Sequence, residues 1–129
     1  MATVLGVDDI PVVRRTIRKF LERGGHLVTE CGSVGEAEQA LGSGSFDLIV
    51  TDLWMPGQDG LTLIQHVKSR TRPLPLVAIT GGAPRMPQLF STEEAIRAGA
   101  DRVLMKPVGM QELLNCVTEL LAARLKGVN

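Results

Sequence analysis

Three aspartates, a threonine and a lysine stand at the ends of short apolar runs that are typical of buried strands. Asp8 and Asp9 follow the first run, Asp52 follows the third, Thr80 ends the fourth and Lys106 follows the fifth. An acid in such a place is unfavourable unless a cation or hydrogen bonds compensate its charge. Carboxylates grouped with a hydroxyl and an ammonium could hold a divalent cation and stabilise the oxygens of a phosphoryl group.

Three neighbouring carboxylates repel one another, and a divalent cation removes that conflict. A small set of oxygen ligands favours Mg2+ over a softer metal, and no His/Cys cluster competes for the assignment. A carboxylate can also attack phosphorus and form an acyl phosphate. On this interpretation Asp52 is the phosphate acceptor. Mg2+ takes one phosphoryl oxygen, the Lys106 ammonium another, and the Thr80 hydroxyl or a backbone N–H a third.

Each of these residues also has a simpler interpretation. An Asp pair after a strand often caps the following helix, which explains Asp8 and Asp9 equally well when they are taken alone. Asp52 alone would be a turn-initiating residue, because the Pro/Gly-rich stretch "MPGQDG" follows closely. The functional interpretation therefore rests on the joint placement of the five residues.

The elements that must position these residues alternate between strand and helix. The predicted strands are Thr3–Val7, Leu27–Cys31, Leu48–Thr51, Leu76–Thr80 and Val103–Met105. Ser33 with Glu36, and Ser91 with Glu94, form capping boxes that predict the starts of the second and fourth helices. The alternation predicts an α/β fold with a parallel sheet covered on both faces. Because ligands bind at the carboxyl ends of parallel strands, the polar residues are expected to share one edge.

The composition excludes several other classes of protein. The chain has 129 residues, suited to one domain, and its fourteen basic and fourteen acidic residues cancel, which gives no footprint for nucleic acid or an anionic membrane. No basic leader and no apolar stretch of about 20 residues is present, so a cytoplasmic protein is expected. Cys31 and Cys116 lie far apart in apolar segments, as is typical of reduced packing thiols.

Four motifs, taken together, resemble the receiver domain of bacterial two-component response regulators. They are "VDD", "TDLWMPGQDG", "AITG" and "MKP", and their order and spacing agree with that family across essentially the whole chain. The resemblance implies a doubly wound, five-stranded parallel sheet of the flavodoxin-like (βα)5 type with strand order 2-1-3-4-5. It also implies a Mg2+ site formed by Asp8, Asp9, Asp52 and the Trp54 carbonyl, with Asp9 the more direct ligand of the acidic pair.

By the same resemblance, Asp52 is phosphorylated by a sensor histidine kinase or a phosphotransfer protein. Thr80 and Lys106 would contact the phosphoryl group, and Lys106–Pro107 would be a cis peptide. A downstream target protein would then recognise the phosphorylated surface. The chain ends soon after the fifth helix, so a single receiver domain without an output domain is expected, although excision from a longer protein stays open.

Three features depart from the family pattern. Val103 occupies a position that is often aromatic, which puts the usual switch between that aromatic and Thr80 in doubt. Trp54 is bulkier than the polar residues often found there, so it either shields an acyl phosphate or reports passively on the turn. The long segment Gly81–Ser91 is either a loop that packs against nothing or a contact surface. In the second case Met86, Leu89 and Phe90 would touch a partner, or Phe90 would replace the missing aromatic. Because Val103 cannot rotate as an aromatic side chain would, the segment Gly81–Phe90 is expected to carry much of the conformational change.

An enzyme is the main competing interpretation. A haloacid-dehalogenase-type phosphatase also uses an Asp nucleophile with Mg2+, a hydroxyl and a lysine, but its nucleophile lies on the first strand with a second Asp two residues later. Here Asp8 and Asp9 are adjacent, and Trp54 stands two residues after Asp52. A nucleotide-binding domain is disfavoured because neither a P-loop nor a G-x-G-x-x-G motif follows the first strand.

Overall fold

The computed structural model of the chain describes residues 2–55, 58–81 and 88–125, without the side chains of residues 54, 55, 58, 59 and 88–91. The strands are β1 (Thr3–Val7), β2 (Leu27–Cys31), β3 (Leu48–Asp52), β4 (Trp54–Met55), β5 (Gln58–Asp59), β6 (Leu76–Thr80) and β7 (Arg102–Met105). The helices are α1 (Pro11–Arg23), α2 (Val34–Ser43), α3 (Gly60–Lys68), α4 (Gln88–Ala98) and α5 (Met110–Leu125).

Five strands form one parallel sheet in the order β2-β1-β3-β6-β7. Counted along the chain without the short β4–β5 pair, this is the predicted order 2-1-3-4-5, and the flavodoxin-like α/β prediction is confirmed. The strands β4 and β5 form an antiparallel pair of their own directly after β3. That pair was not predicted, because only two residues on each side take part and apolar periodicity cannot detect so short an element.

The two faces of the sheet carry separate apolar clusters, as a doubly wound arrangement requires. In β3, Ile49 belongs to one cluster, whereas Leu48 and Val50 belong to the other. Both β3 and β6 are buried along their whole length. Side chains alternate between the faces of a strand, so central strands read as continuous apolar runs when both faces are covered. The continuity of these runs is therefore what made the central strands predictable.

The two predicted capping boxes have different outcomes. The Ser33 hydroxyl accepts a hydrogen bond from the Glu36 N–H at 3.1 Å and caps α2, which confirms the first. The second prediction is wrong, because α4 begins at Gln88 and Ser91 therefore lies within the helix. A Ser-x-x-Glu sequence is compatible with a helix interior as well as with its start, so this signal alone could not place the boundary.

Two further expectations concern the core and the membrane. Cys31 and Cys116 are both free and buried, and burial raises the pKa of each thiol, which agrees with a packing role. Within residues 2–55, 58–81 and 88–125, none of the helices combines the length and the apolarity that crossing a bilayer would need.

Gly60 opens α3 in close contact with the turn that follows β3. A Cβ atom at this position would overlap the Leu53 carbonyl oxygen, a backbone atom that cannot rotate away. Gly60→Ala is therefore expected to lower the free energy of unfolding by about 1–3 kcal/mol, a typical cost of overpacking, as measured by urea denaturation. Gly42→Ala in α2 is the matched control, because nothing lies within 4 Å of its Cβ. An equal loss in both variants would contradict the prediction.

Candidate functional site

Four adjacent strands deliver the predicted polar residues to one edge of the sheet. Asp8 follows β1, Asp52 ends β3, Thr80 ends β6 and Lys106 follows β7. The register aligns these ends, because Asp52 pairs with Ile79, and Thr80 pairs with Met105. β3 reaches one residue beyond its predicted end, so Asp52 is part of the strand, and its backbone position is set by the sheet rather than by a loop.

The three carboxylates form a compact cluster. Asp8, Asp9 and Asp52 each offer one oxygen, and these oxygens lie within 4.8 Å of one another. Asp8 and Asp52 are almost completely buried, at 0% and 1% exposure, whereas Asp9 is partly exposed. Water therefore screens the two buried charges poorly, and Asp9 is the member of the acidic triad that reaches solvent.

Lys106 places its ammonium between the two buried acids. Its Nζ lies 3.4 Å from Asp8 Oδ2 and 3.4 Å from Asp52 Oδ1. Its backbone N–H donates to the Thr80 carbonyl oxygen at 2.8 Å, which ties the β7 end to the β6 end. One ammonium facing three carboxylates leaves two negative charges uncompensated within this group of four side chains. A divalent cation would supply the missing charge.

Every polar atom of Asp8 except one carboxylate oxygen takes part in a hydrogen bond. Its N–H donates to the Cys31 carbonyl oxygen at 3.1 Å, and its Oδ1 accepts from the Ile10 N–H at 2.9 Å. Its carbonyl oxygen accepts from Arg14 Nη1 at 2.7 Å. The N-cap of α1 is Ile10, without a side-chain cap hydrogen bond, so neither acid of the pair caps the helix. The capping alternative therefore does not apply.

The remaining atom, Asp8 Oδ2, is the observation that bears on a metal. It is buried and has no hydrogen-bond partner within the described part of the chain. A buried carboxylate oxygen without a hydrogen bond is unfavourable unless a cation compensates it. The Lys106 ammonium at 3.4 Å compensates it only in part. The oxygen-only donor set, the excess negative charge and this oxygen together fit a hard divalent cation such as Mg2+.

The structure also describes Thr80, the Lys106–Pro107 peptide and Val103, and the backbone of Trp54. Thr80 is buried at 3% exposure, and Lys106–Pro107 is a cis peptide. Val103 is half-buried and packs against the cluster that contains Leu5 and Ile49. The backbone of Trp54 lies in β4, two residues after Asp52, but the predicted position of its indole concerns a side chain outside the described set.

The predictions for the long segment after β6 stay predictions. Met86 lies outside the described residues, and Phe90 is described only as part of the α4 backbone. Sequence reasoning also missed one residue with a direct contact to the site, Arg14. The contact between Arg14 and the Asp8 carbonyl depends on how α1 packs beside β2, and no local pattern distinguishes Arg14 from its neighbour Arg15.

The comparison with known proteins agrees with the geometry of the site. The family model "Response regulator receiver domain" matches residues 4–118. The chain is 35% identical over 118 residues to Protein PetR of Rhodobacter capsulatus, and 30% identical over 123 residues to the transcriptional regulatory protein AruR of Pseudomonas aeruginosa. Each alignment covers 92% of this chain and 48% of the relative, so the chain spans about half the length of these relatives.

Solved structures match over almost the whole chain. A CheY-like receiver domain protein from Methanospirillum hungatei superimposes with a TM-score of 0.87 at 26% identity, covering 98% of each chain. A putative response regulator from Chloroflexus aurantiacus superimposes with a TM-score of 0.84 at 30% identity, covering 94% of this chain and 98% of that one.

Proposed function

The chain belongs to the response regulator receiver family, and from this premise we propose that Asp52 accepts a phosphoryl group from a sensor histidine kinase or phosphotransfer protein in a Mg2+-dependent reaction. The observation that supports this most is the grouping of three acid oxygens within 4.8 Å, with the Lys106 ammonium 3.4 Å from two of the acids. Such an acidic triad is typical of the receiver Mg2+ site. A receiver domain is a signalling phosphoacceptor rather than an enzyme that turns over external substrates.

The proposed chemistry follows from the atoms at the edge of the sheet. A carboxylate oxygen of Asp52 attacks phosphorus, and the bond between phosphorus and the donor imidazole nitrogen breaks, with its electron pair passing to that nitrogen. Lys106 Nζ, already directed at Asp52, pairs with a phosphoryl oxygen as negative charge gathers there. Thr80, at the end of the neighbouring strand, offers its hydroxyl to a second oxygen. A bound Mg2+ would neutralise charge on a third.

The residues proposed to hold Mg2+ are Asp8, Asp9, Asp52 and the backbone carbonyl of Trp54. Asp9 is the one member of the acidic triad that is partly exposed, so it can exchange water for the ion most readily. Asp8 is fixed by backbone hydrogen bonds and presents its single unsatisfied oxygen to the cluster. Because Mg2+ keeps several waters, a few protein oxygens suffice.

The phosphatase alternative is disfavoured by the same geometry. The proposed nucleophile, Asp52, ends the central strand β3, whereas a haloacid-dehalogenase-type enzyme would carry its nucleophile on β1. We propose a cytoplasmic role in two-component signalling, in which a downstream protein reads the phosphorylated surface. The name transcriptional regulatory protein belongs to AruR, of whose length this chain matches 48%.

The direct test is covalent labelling of the purified chain by acetyl phosphate. One phosphoryl group per chain, stable in acid and labile in alkali, is expected in the presence of Mg2+ and not in the presence of EDTA. The intrinsic fluorescence of Trp54, the single tryptophan, is expected to change on adding Mg2+ and again on phosphorylation. Continuous turnover of phosphate esters, or stable labelling at a residue other than Asp52, would overturn the proposal.

An apolar groove of about 370 Å³ lies beside the acidic cluster and shares Lys106 with it. Helix α1 contributes Val12 and Phe20, and the loop after β7 contributes Pro107 and Val108. A phosphorylated histidine must approach Asp52 closely, so the protein that carries it covers the surface around Lys106. We propose that the apolar surface of this phosphodonor rests in the groove.

Val12→Glu is therefore expected to slow phosphotransfer from the cognate kinase by about tenfold or more, corresponding to roughly 1.4 kcal/mol of lost interaction. Val12 is 67% exposed, so the substitution should leave the fold intact. Labelling by acetyl phosphate should be unchanged, because a small donor needs no docking surface. Ile96→Glu on α4 is the matched control, since Ile96 is similarly exposed at 59% but does not line the groove. Equal slowing of phosphotransfer in both variants would contradict docking of the phosphodonor in the groove.

A further inference from the structure

We propose that Arg14 is a positioning residue that sets the relative orientation of the two acids at the end of β1 and thereby sets the affinity for Mg2+. The inference rests on the function proposed above and extends it to a residue outside the acidic cluster. Arg14 lies in the first turns of α1, and its side chain is 19% exposed. It therefore belongs to the packed side of the helix, unlike its exposed neighbour Arg15.

Two donors of the Arg14 guanidinium have specific acceptors in two different segments, the end of β1 and the strand β2. Nη1 donates to the Asp8 carbonyl oxygen at 2.7 Å, just beyond the end of β1. Nε donates to Glu30 Oε1 at 3.0 Å on β2. A planar guanidinium holds both directions at once, whereas an ammonium on a flexible stem is a point charge without that fork. Arg14 thus connects the acidic pair to the neighbouring strand.

The Asp8 carbonyl is an informative acceptor because of its place in the chain. It belongs to the planar peptide unit that joins Asp8 to Asp9, so fixing this oxygen fixes the plane between the two acids. The carboxylate of Asp8 is fixed from the other side, where Oδ1 accepts from the Ile10 N–H. Together these bonds leave Asp8 Oδ2 as the oxygen that is available to a metal ion. They also fix the direction of the backbone at Asp9.

The far end of the connection is itself anchored. Glu30 Oε2 accepts from Arg18 Nη1 at 2.9 Å, while Oε1 accepts from Arg14. The hydrogen bond from Arg18 and, to a smaller extent, that from Arg14 hold the pKa of Glu30 below its usual value. Glu30 therefore stays ionised at neutral pH, and Arg14 is held against a fixed, charged partner. Gly32 leaves room for this arrangement, since a Cβ there would lie 3.2 Å from Arg14 Nη1.

Positioning and simple electrostatics predict opposite effects when Arg14 is replaced. Removing a positive charge near three carboxylates should strengthen the binding of a cation, if charge alone mattered. Loss of the orienting hydrogen bond should weaken it, since removal of a partner that orients a metal ligand typically costs 10–100-fold in affinity. The sign of the change therefore distinguishes the two explanations.

The experiment measures Mg2+ affinity of the full chain by titration calorimetry for the wild type, Arg14→Gln, Arg14→Lys and Arg15→Gln. We expect about tenfold weaker binding in both Arg14 variants, because lysine keeps the charge but not the two-acceptor fork. Arg15→Gln removes the same charge from the same helix turn and should bind Mg2+ as the wild type does or slightly more tightly. Thermal unfolding checks that each variant is folded.

Two further readouts separate positioning from general damage. In Mg2+-free solution, hydrogen exchange at the Ile10 amide should be faster in Arg14→Gln, because the turn closed by the hydrogen bond from Ile10 N–H to Asp8 Oδ1 is then less restrained. Labelling by acetyl phosphate should show a higher apparent Mg2+ requirement with an unchanged rate at saturating Mg2+. If Arg14→Gln does not fold, Arg14→Lys decides the question by itself, because it keeps the positive charge and removes only the two-acceptor fork.

Unchanged Mg2+ affinity in both Arg14→Gln and Arg14→Lys would overturn the inference, and so would a lower rate at saturating Mg2+ with unaltered affinity. Neither result would affect the assignment of Asp52 as the acceptor. By contrast, a wild-type chain that neither binds Mg2+ nor becomes labelled would overturn the proposed function, and the role of Arg14 with it.

Discussion

Asp52→Asn is expected to abolish phosphorylation by acetyl phosphate while preserving the fold. The amide keeps the shape of the side chain but removes the nucleophilic oxygen, so no acyl phosphate can form. Labelling measured by intact-protein mass spectrometry should fall from one phosphoryl group per chain to none at the native site. This is the largest effect expected of any substitution in the chain, because the other proposed residues assist a reaction that Asp52 itself undergoes.

The same variant should change stability in a characteristic way. Replacing one of three clustered carboxylates by a neutral amide reduces their mutual repulsion, so the Mg2+-free protein should be at least as stable as the wild type. Stabilisation by added Mg2+ should be smaller, because a ligand at free concentration c stabilises the folded state by RT ln(1 + c/Kd), which falls as the affinity falls. Thermal unfolding with and without Mg2+ measures both effects.

Asp47→Asn is the matched control for this prediction. Asp47 immediately precedes β3, at the opposite end from Asp52, and its Oδ2 accepts a hydrogen bond from the Thr3 N–H at 2.8 Å. It should be labelled to the same extent as the wild type. Labelling of Asp52→Asn to the same extent and at the same site as in the wild type would exclude Asp52 as the acceptor, whatever the stability of the variant.

Lys106→Met is expected to produce the second largest effect, on both stability and response. The substitution removes the ammonium that lies 3.4 Å from each of the two buried acids. Removing one partner of a buried ion pair typically costs 3–5 kcal/mol. Because the Lys106 side chain is 17% exposed and the cluster opens beside Asp9, a loss of about 2 kcal/mol in the unfolding free energy is expected in Mg2+-free solution.

Saturating Mg2+ should recover much of that stability, because the ion takes over the compensation of the carboxylates. The response to phosphorylation should not recover, since a phosphoryl oxygen loses its cationic partner. The change in Trp54 fluorescence on adding beryllofluoride, which stands in for the phosphoryl group, is the measurement. Lys19→Met, on the exposed face of α1, serves as the control and should behave as the wild type. A stability deficit that Mg2+ leaves untouched, with a normal response, would contradict the role of Lys106.

The main elements of the fold were predictable from the sequence for a local reason. Leu48 to Val50 and Leu76 to Ile79 form continuous apolar runs because both faces of the central strands are covered. The start of α2 directly after its N-cap Ser33 was predictable because a capping hydrogen bond spans only three residues. The start of α4 was not, since Ser91 and Glu94 are spaced in the same way inside a helix.

The sequence also placed the five polar residues at strand ends, and parallel topology then required them to share an edge. The sequence determined in which element each of these residues lies and at which end of it. The signals for this, apolar runs and turn residues, extend over only a few positions. The distances were decided by the tertiary structure alone. The position of Lys106 Nζ between Asp8 and Asp52 depends on the register of β7 against β6 and of β6 against β3.

Arg14 shows most clearly the difference between what the sequence determined and what the tertiary structure decided. The sequence determined that it lies in α1, but its bond to the Asp8 carbonyl exists only because α1 packs beside β2, where Glu30 meets the other guanidinium donor. Residues 8, 14 and 30 are separated along the chain and adjacent in space. Local patterns fix secondary structure because its hydrogen bonds are short in sequence, whereas the contacts that orient a site close over long separations and are set by how the elements pack.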